Sequence, residues 1–341
     1  MIWLTWRQFR VQALTAAAAL AAFAILLAVT GPHLAGRYTA SAITGCHGFG
    51  CQSAANTFLS QLQATSAYPV VYLVGLALIL AAPAITGLFW GAPLIAREFE
   101  SRTFALVWNQ SITRARWLVV KLTLTGLAAM AVTEALSLTY AWWADPIRKA
   151  IDLGGSTSLF SGGRFSSLIF ATHGITPLGY AAFAFTLGTA AGALIRRTVP
   201  AMAVTLVIFA AAQLAMPLWV RPHLVPPDRT IVTIDSAQLD FGNLTATTVP
   251  GHTGAWILSS GAINHAGQTV SNLPVACQAA VLGLKPSSPS QCMESHGFRE
   301  AISYEPANRY WPLQWIETGI FLTLALALAG FCSWRLGRRR T

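Results

Sequence analysis

The chain has 341 residues, of which 54% are hydrophobic and only 10% are charged, and its formal net charge is +10. Soluble domains carry about 25% charged residues, so this chain has too little charge to solvate a soluble surface. The basic residues lie mainly at the ends of apolar runs, which is the membrane pattern and argues against a nucleic-acid interface. Composition therefore predicts an all-α polytopic membrane protein.

The first residues show apolar side chains at helical spacing. Ile2, Trp6, Phe9 and Ala13 recur on one face, with arginines beside them. This pattern predicts an amphipathic helix over 1–10 that lies in the membrane interface, and it is also compatible with the start of the first span. The apolar run that follows is long and lacks a clear A-x-A site, so we expect it to be retained rather than cleaved as a signal.

Six apolar segments are long enough to cross a bilayer, which takes roughly 20 helical residues. They cover residues 11–30, 69–90, 118–143, 167–194, 199–220 and 313–334. The predicted organisation begins with an interfacial helix at 1–10 and five spans within 11–220, which include a cytoplasmic loop at 93–117. An outer domain at 221–312 follows, and the last span and a basic tail occupy 313–341.

Basic residues near the ends of the spans indicate the orientation. With a cytoplasmic N-terminus, the inner segments together with Lys121, just inside the third span, hold 13 of the 22 lysines and arginines, and the much longer outer segments hold the other nine. We therefore predict that both termini are cytoplasmic.

Cysteine positions agree with this topology. Cys46 and Cys51 fall in the first outer loop, and Cys277 and Cys292 fall in the third. Because the outer side is oxidising, two local disulfides are expected, with free thiols as the alternative. We predict no metal site, since a zinc site using His47 would lack an obvious fourth ligand.

The outer region 221–312 is the one sizeable segment outside the membrane. Its stretches RTIVTIDSAQLDF and GAWILSSGAINH have the composition of short strands between turns. A small β-rich extracytoplasmic domain between the fifth and sixth helices is expected.

Enzyme motifs are absent from the sequence. It contains no G-x-x-x-x-G-K-[ST], no H-E-x-x-H and no G-x-S-x-G. We therefore predict a non-catalytic chain that holds no cofactor of its own.

Several residues inside the predicted spans are candidates for a translocation path. Glu134 and His173 are ionisable, which at membrane depth indicates function by default, although hydrogen bonds that join helices are the alternative. Pro83 and Gly87 break a helical pattern and are compatible with either a flexible gate or a static kink. Glu317 is expected to reach water at the headgroups.

Charge is concentrated in one segment, GAPLIAREFESRTFALVWNQSITRARWLVVKL, at residues 91–122. A segment that only anchored to anionic lipid would need basic residues without acids. Mixed charges next to exposed apolar residues favour docking to a protein.

This segment closely resembles the cytoplasmic loop of ABC-2-type transporter permeases, particularly small six-span permeases of high-GC Gram-positive bacteria. The matching residues are Gly91, Pro93, Ala96, Arg97, Glu98, Glu100, Thr103, Trp108, Gln110, Ser111, Thr113, Arg114, Arg116, Trp117 and Lys121. Arg102 departs from the pattern, which usually has glycine at that position.

The resemblance implies a permease subunit in a bacterial plasma membrane. It also implies that the loop docks on a separate ABC ATPase, which would carry the ATP and Mg, and that two permease chains form a dimer. The cargo expected from the family is a hydrophobic compound, an antibiotic or a peptide. The implied docking residues are Arg97, Glu98, Glu100, Arg102, Trp108, Arg114, Arg116 and Trp117.

Two other classes remain open from the sequence. One is a membrane sensor or scaffold whose outer domain binds a ligand. The other is a membrane-embedded enzyme that uses Glu134 and His173, which would then have to be adjacent.

Overall fold

The computed structural model describes most of the chain and divides it into two compact units. The helical unit comprises Met1–Gly162, Ser166–Arg221 and Pro312–Thr341, and the second unit comprises Gly163–Phe165 and Pro222–Trp311. The described residues are 2–46, 50–101, 114–233, 239–240, 243–244, 249, 252, 254–270, 277, 292 and 295–338.

Six described helices are long and apolar enough to cross a membrane. They are Phe9–Thr39, Ala67–Glu100, Arg116–Asp152, Thr176–Ile195, Thr198–His223 and Ala307–Arg335. The prediction of an all-α polytopic membrane protein with six spans is confirmed.

The first span belongs to one long helix. Helix α1 runs from Ile2 to Thr39 without a break, although Pro32 lies inside it. Its opening residues are thus the first turns of the same helix that carries the span. A 3-10 turn, Ala42–Gly45, and helix α2, Gly50–Ala64, follow it.

The second span is also one continuous helical segment. Helix α3, Ala67–Thr86, passes into a π-helical turn, Gly87–Gly91, and then into helix α4, Ala92–Glu100. The third span is helix α5, Arg114–Asp152. The second and third spans are both longer than the roughly 20 residues that a bilayer requires.

The segment predicted as the fourth span, 167–194, contains two helices rather than one, and the pair is called the fourth span below. Helix α6, Ser167–Thr172, is separated by a short break from helix α7, Thr176–Ile195. The fifth span is helix α8, Thr198–Ala215, and the sixth is helix α9, Tyr310–Arg338. Helix α8 continues through a π-helical turn, Met216–Val220, and a 3-10 turn, Arg221–His223.

Glycines allow the second and fourth spans to touch through their backbones. A Cβ on Gly91 would lie 2.4 Å from the carbonyl oxygen of Phe185, and one on Gly188 would lie 2.2 Å from that of Gly87. Small residues four apart permit this close approach in membranes. This packing places Gly87 at a close contact between the second and fourth spans.

The second unit contains the expected small sheet. Strands β1, Asp228–Thr233, and β4, Trp256–Ile263, both pair antiparallel with the central strand β5, Arg299–Glu305. The short strands β2, Leu239–Asp240, and β3, Asn243–Leu244, form a separate pair.

One arginine joins the ends of two of these strands. Arg309 donates to Asp228 at 2.7 Å and to Glu305 at 2.9 Å. The carbonyl oxygen of Pro226 accepts a third hydrogen bond from it at 2.9 Å. Arg309 ends the 3-10 turn Ala307–Arg309, which precedes helix α9, so these contacts hold strands β1 and β5 beside that turn.

The cysteine pairing leads to a direct prediction. Cys46 is bonded to Cys51 and Cys277 to Cys292, while Cys332 is free and buried. In unfolded, unreduced protein, a polyethylene-glycol maleimide is therefore expected to add once, and after reduction five times, as counted by gel shift. A Cys332→Ser control should give no addition and then four. Three or five additions before reduction would show that a disulfide is missing.

Candidate functional site

The charged segment begins on α4, whose two glutamates bond to other helices of the same unit. Glu98 forms an ion pair with Lys121 of α5, and the two side chains are only 14% and 5% exposed. The Lys121 ammonium also lies 4.7 Å from the centre of the Trp117 ring. A buried lysine needs such a partner, because an unpaired charge inside the helical unit is costly.

Glu100 binds the start of the fifth span. Its carboxylate accepts hydrogen bonds from the backbone nitrogen of Thr198 at 2.9 Å and from the Thr198 hydroxyl at 2.7 Å. Since Thr198 opens helix α8, the carboxylate satisfies a free N–H group at the positive end of that helix. Beside it, the guanidinium of Arg196 lies 5.3 Å from the centre of the Phe99 ring.

The predicted docking residues therefore separate into different environments. Arg97, Glu100 and Arg116 are exposed, whereas Glu98 is largely buried and Trp117 is 4% exposed. Side chains as buried as the last two support the segment from within rather than present a contact surface. Outside the described residues lie Arg102, Trp108 and the side chain of Arg114.

A second polar cluster lies inside the helical unit, where the fourth, fifth and sixth spans meet. Glu317 accepts hydrogen bonds from Arg221 Nε at 2.8 Å, from Arg221 Nη2 at 3.0 Å and from the Tyr180 hydroxyl at 2.6 Å. The side chains of the ion pair are both 0% exposed. The Arg221 guanidinium also stacks 4.0 Å from the centre of the Phe170 ring.

The expectation that Glu317 reaches headgroup water is therefore wrong. Arg221 lies at the end of the fifth span, 96 positions before Glu317 in the chain. Its guanidinium supplies a fork of donors that matches the carboxylate. Because this partner comes from another helix, the carboxylate is satisfied inside the unit and does not need water.

The break in the fourth span is filled by another buried side chain, Gln314, which is 0% exposed. Its amide oxygen accepts from the backbone nitrogens of Ile175 at 3.2 Å and Thr176 at 3.1 Å, and also from the Thr176 hydroxyl. Its amide nitrogen donates to the carbonyl oxygens of Phe170 and His173, each at 3.1 Å. One side chain thus satisfies donors and acceptors that the interrupted helix leaves free.

His173 lies in this break rather than within a continuous helix. Its ring nitrogen Nδ1 is 3.0 Å from both the Thr172 hydroxyl and the Ile169 carbonyl oxygen. Glu134 is half-buried on α5, and its Oε2 atom has no hydrogen-bond partner among the described residues. Within the described part of the chain, no hydrogen bond joins Glu134 to His173, so the structure does not bring the two together as an acid–base pair.

Metal-ligating residues come together in the second unit. Ligand atoms of Cys277, Cys292 and His296 lie within 4.8 Å of one another. However, the two cysteines form a disulfide, and thiolates are needed for binding. The oxidised pair therefore offers no sulfur ligands.

Sequence reasoning missed three of these buried polar residues, namely Arg221, Tyr180 and Gln314. One signal was available, because Gln314 and Glu317 are three apart in an apolar helix and so lie on one face. Polar residues that share a face inside a span indicate an interface with other helices.

Six spans, tightly packed glycines and polar clusters that join separate helices define a polytopic membrane protein. The family model for ABC-2 membrane transporter related proteins matches residues 17–221, which is more than half of the chain. The chain belongs to this family and is a membrane component of a transporter. Comparison with curated proteins and with solved structures gave no match.

Proposed function

We propose that this chain is the permease subunit of an ATP-binding cassette exporter and that a separate ATPase docks on residues 93–117. Family membership supports this proposal, and the observation that carries it is the exposed charge where the second span ends and the third begins. Arg97 and Glu100 are exposed at the end of α4, and Arg116 is exposed at the start of α5. Exposed charges of both signs favour oriented docking of a protein.

The contacts of α4 suggest how force on this surface would reach the membrane. Helix α4 continues the second span, and the Glu98–Lys121 pair ties it to the third. Glu100 ties it to the fifth span through Thr198. ATP binding would close two ATPase subunits on each other and move α4, and the three attached spans would then follow as connected rigid elements.

The remaining parts of the proposal follow from the family. ATP and Mg would be bound by the ATPase, and two permease chains, identical or different, would form the transport path. The cargo would be a hydrophobic compound, an antibiotic or a peptide, exported from a bacterial cytoplasm across the plasma membrane.

The two other classes have less support. An enzyme that uses Glu134 and His173 would need them side by side. Among the described residues, His173 instead lies against Thr172 and Ile169, and Glu134 Oε2 has no hydrogen-bond partner. A sensor whose outer domain binds a ligand would require no ATPase. Co-purification from solubilised membranes separates these classes, because an ATPase is expected only with the permease.

Charge reversal tests the docking surface. We expect Arg97→Glu combined with Arg116→Glu to reduce the ATPase recovered with the permease by about tenfold or more, since like charges oppose each other at a complementary interface. Both side chains are exposed, so membrane insertion should be unchanged. Glu98→Lys is unsuitable, because it would place a second cation beside buried Lys121.

The matched control is Arg229→Glu, an exposed arginine on strand β1 of the second unit. It reverses the same type of charge at a position outside residues 93–117, and ATPase recovery should equal that of the unchanged protein. Equal recovery with the double variant would refute docking at this surface.

A further inference from the structure

A cavity of about 380 Å³ lies in the helical unit. It is bounded by the N-terminal part of α1, by the second span where the π-helical turn meets α4, and by α5. Its volume is in the range of small-molecule sites, roughly 300–1,000 Å³. Both apolar and charged side chains line it, including Phe9, Trp90, Leu94, Arg97, Glu98 and Lys121.

The charged groups in this cavity are only partly satisfied. Lys121 is bound to one oxygen of Glu98, and the other oxygen, Oε2, is buried and has no hydrogen-bond partner among the described residues. Arg97 is exposed, and within that same part of the chain its guanidinium has no hydrogen-bonding or ion-pair partner. Arg97, Lys121 and Glu98 therefore line one cavity, and the free oxygen of Glu98 lies buried beneath the cavity surface. A ligand with a matching anion and a hydrogen-bonding cation would complete these groups.

The apolar side of the cavity is built from aromatic rings. Phe9 meets Trp90 edge to face, with ring centres 4.8 Å apart, and both rings are buried. Leu94 is half-buried beside them. This wall suits a hydrocarbon portion attached to the polar group.

The position of the cavity indicates what kind of molecule can reach it. Trp3 and Trp6 lie one or two turns before Phe9 on α1 and are 68% and 51% exposed. The Arg7 guanidinium lies 5.5 Å from the centre of the Trp3 ring. Exposed tryptophans beside arginine are typical of the headgroup level of a membrane, so the cavity opens at lipid headgroup depth.

We propose that this cavity binds the headgroup of an aminophospholipid such as phosphatidylethanolamine. The phosphate would lie between Arg97 and Lys121, and the Glu98 carboxylate would turn its free oxygen, Oε2, toward the cavity to accept from the primary ammonium. The glycerol and upper acyl chain would pack along Phe9 and Leu94. This inference is independent of the proposed function, because it requires no ATPase and no cargo.

Lipid identity provides the first test. Full-length permease, purified without ATPase, is examined by native mass spectrometry after exchange into phosphatidylethanolamine, phosphatidylglycerol or phosphatidylcholine. We expect one retained phosphatidylethanolamine per chain, preferred by about tenfold over the other two. Phosphatidylglycerol has no ammonium, and the ammonium of phosphatidylcholine has no N–H to donate. Equal retention of the three lipids would overturn the proposal.

Two variants test the place of binding. Arg97→Gln removes a phosphate ligand from an exposed position, and Leu94→Trp fills the cavity. Each should lower phosphatidylethanolamine retention by about tenfold. Arg10→Gln is the control, since Arg10 is exposed on α1 and does not line the cavity. If Leu94→Trp fails to fold, Arg97→Gln alone decides, and retention equal to that of Arg10→Gln refutes this site.

The last alternative is that the cavity binds a soluble phosphate compound rather than a membrane lipid. O-phosphoethanolamine or inorganic phosphate at millimolar concentration should not displace the lipid, because neither contacts the apolar wall. Displacement would show that the cavity recognises a free phosphate compound rather than a membrane lipid. The lipid measurements use permease without ATPase, so they stand apart from docking. Because Arg97 belongs to both proposals, Arg116→Glu alone, at a position that does not line the cavity, tests docking without removing a phosphate ligand.

Discussion

Replacement of Glu317 with alanine is expected to cost about 3–5 kcal/mol of the free energy of unfolding, because it leaves the guanidinium of Arg221 buried without its counter-ion. Both side chains are 0% exposed, and two hydrogen bonds at 2.8 and 3.0 Å join them. The same change also removes the acceptor of the Tyr180 hydroxyl. We therefore expect a large fall in the melting temperature of the detergent-solubilised chain.

An exposed ion pair provides the matched control. Asp145 pairs with Lys149 at 2.8 Å on α5, and its side chain is 32% exposed. Asp145→Asn should cost at most about 1 kcal/mol, since water screens such pairs. Changing both Glu317 and Arg221 to methionine should recover most of the stability, because no unpaired charge remains. If Glu317→Ala melts at the same temperature as Asp145→Asn, the buried pair does not have the assigned role.

Replacement of Gln314 with leucine is expected to be the second strongly destabilising change. Leucine has a similar size but makes no hydrogen bonds, so two backbone nitrogens and two carbonyl oxygens at the break in the fourth span lose their partner. Each unsatisfied buried group costs about 1–3 kcal/mol. We expect a total loss of several kcal/mol of unfolding free energy, measured again as a fall in melting temperature.

Two other substitutions separate the parts of this effect. Gln314→Glu keeps the oxygen that accepts from Ile175 and Thr176 but loses the donor to the two carbonyl oxygens, so its stability should be intermediate. Gln213→Leu is the control, because Gln213 is half-buried and makes one long hydrogen bond at 3.4 Å to the Leu80 carbonyl oxygen. A Gln314→Leu protein as stable as Gln213→Leu would contradict the role of Gln314 in filling the break.

Both predictions concern the same region and have a common consequence. Arg221 lies at the end of the fifth span, and Glu317 and Gln314 lie on the sixth. All three bind the fourth span or each other. We expect these three spans to stay together during transport, because separating them would expose buried charged and amide groups to lipid.

Much of the fold could be predicted because a bilayer imposes simple rules on a chain. Segments of roughly 20 apolar residues must form spans, and all six predicted segments correspond to long apolar helices in the structure. The cysteine pairs were also predictable, since each pair is close in sequence, at separations of 5 and 15 residues. The break after Thr172 had a local signal in the sequence as well, because Gly174 and Pro177 lie close together there. In the structure Gly174 has a φ of +70°, a conformation that favours glycine.

The candidate site was less predictable because its contacts join distant segments. Glu98 looked like an exposed docking charge, and only the position of Lys121 on the neighbouring helix shows that it is buried and paired. Likewise, Glu317 looked close to water until the fold brought Arg221 against it. Hydropathy describes each residue by its own chemistry and cannot reveal a partner that another helix supplies.

The sequence by itself therefore determined the class of protein, the number of spans and the position of the charged segment, because these depend on local composition and on the thickness of a bilayer. Only the tertiary structure decided which polar side chains face outward and which form the buried links between helices. The physical reason is that a charge or an amide is stable inside a helical bundle only when a second group is placed within hydrogen-bonding distance. For Glu317 and Gln314 those partners are 96 to 144 positions away along the chain.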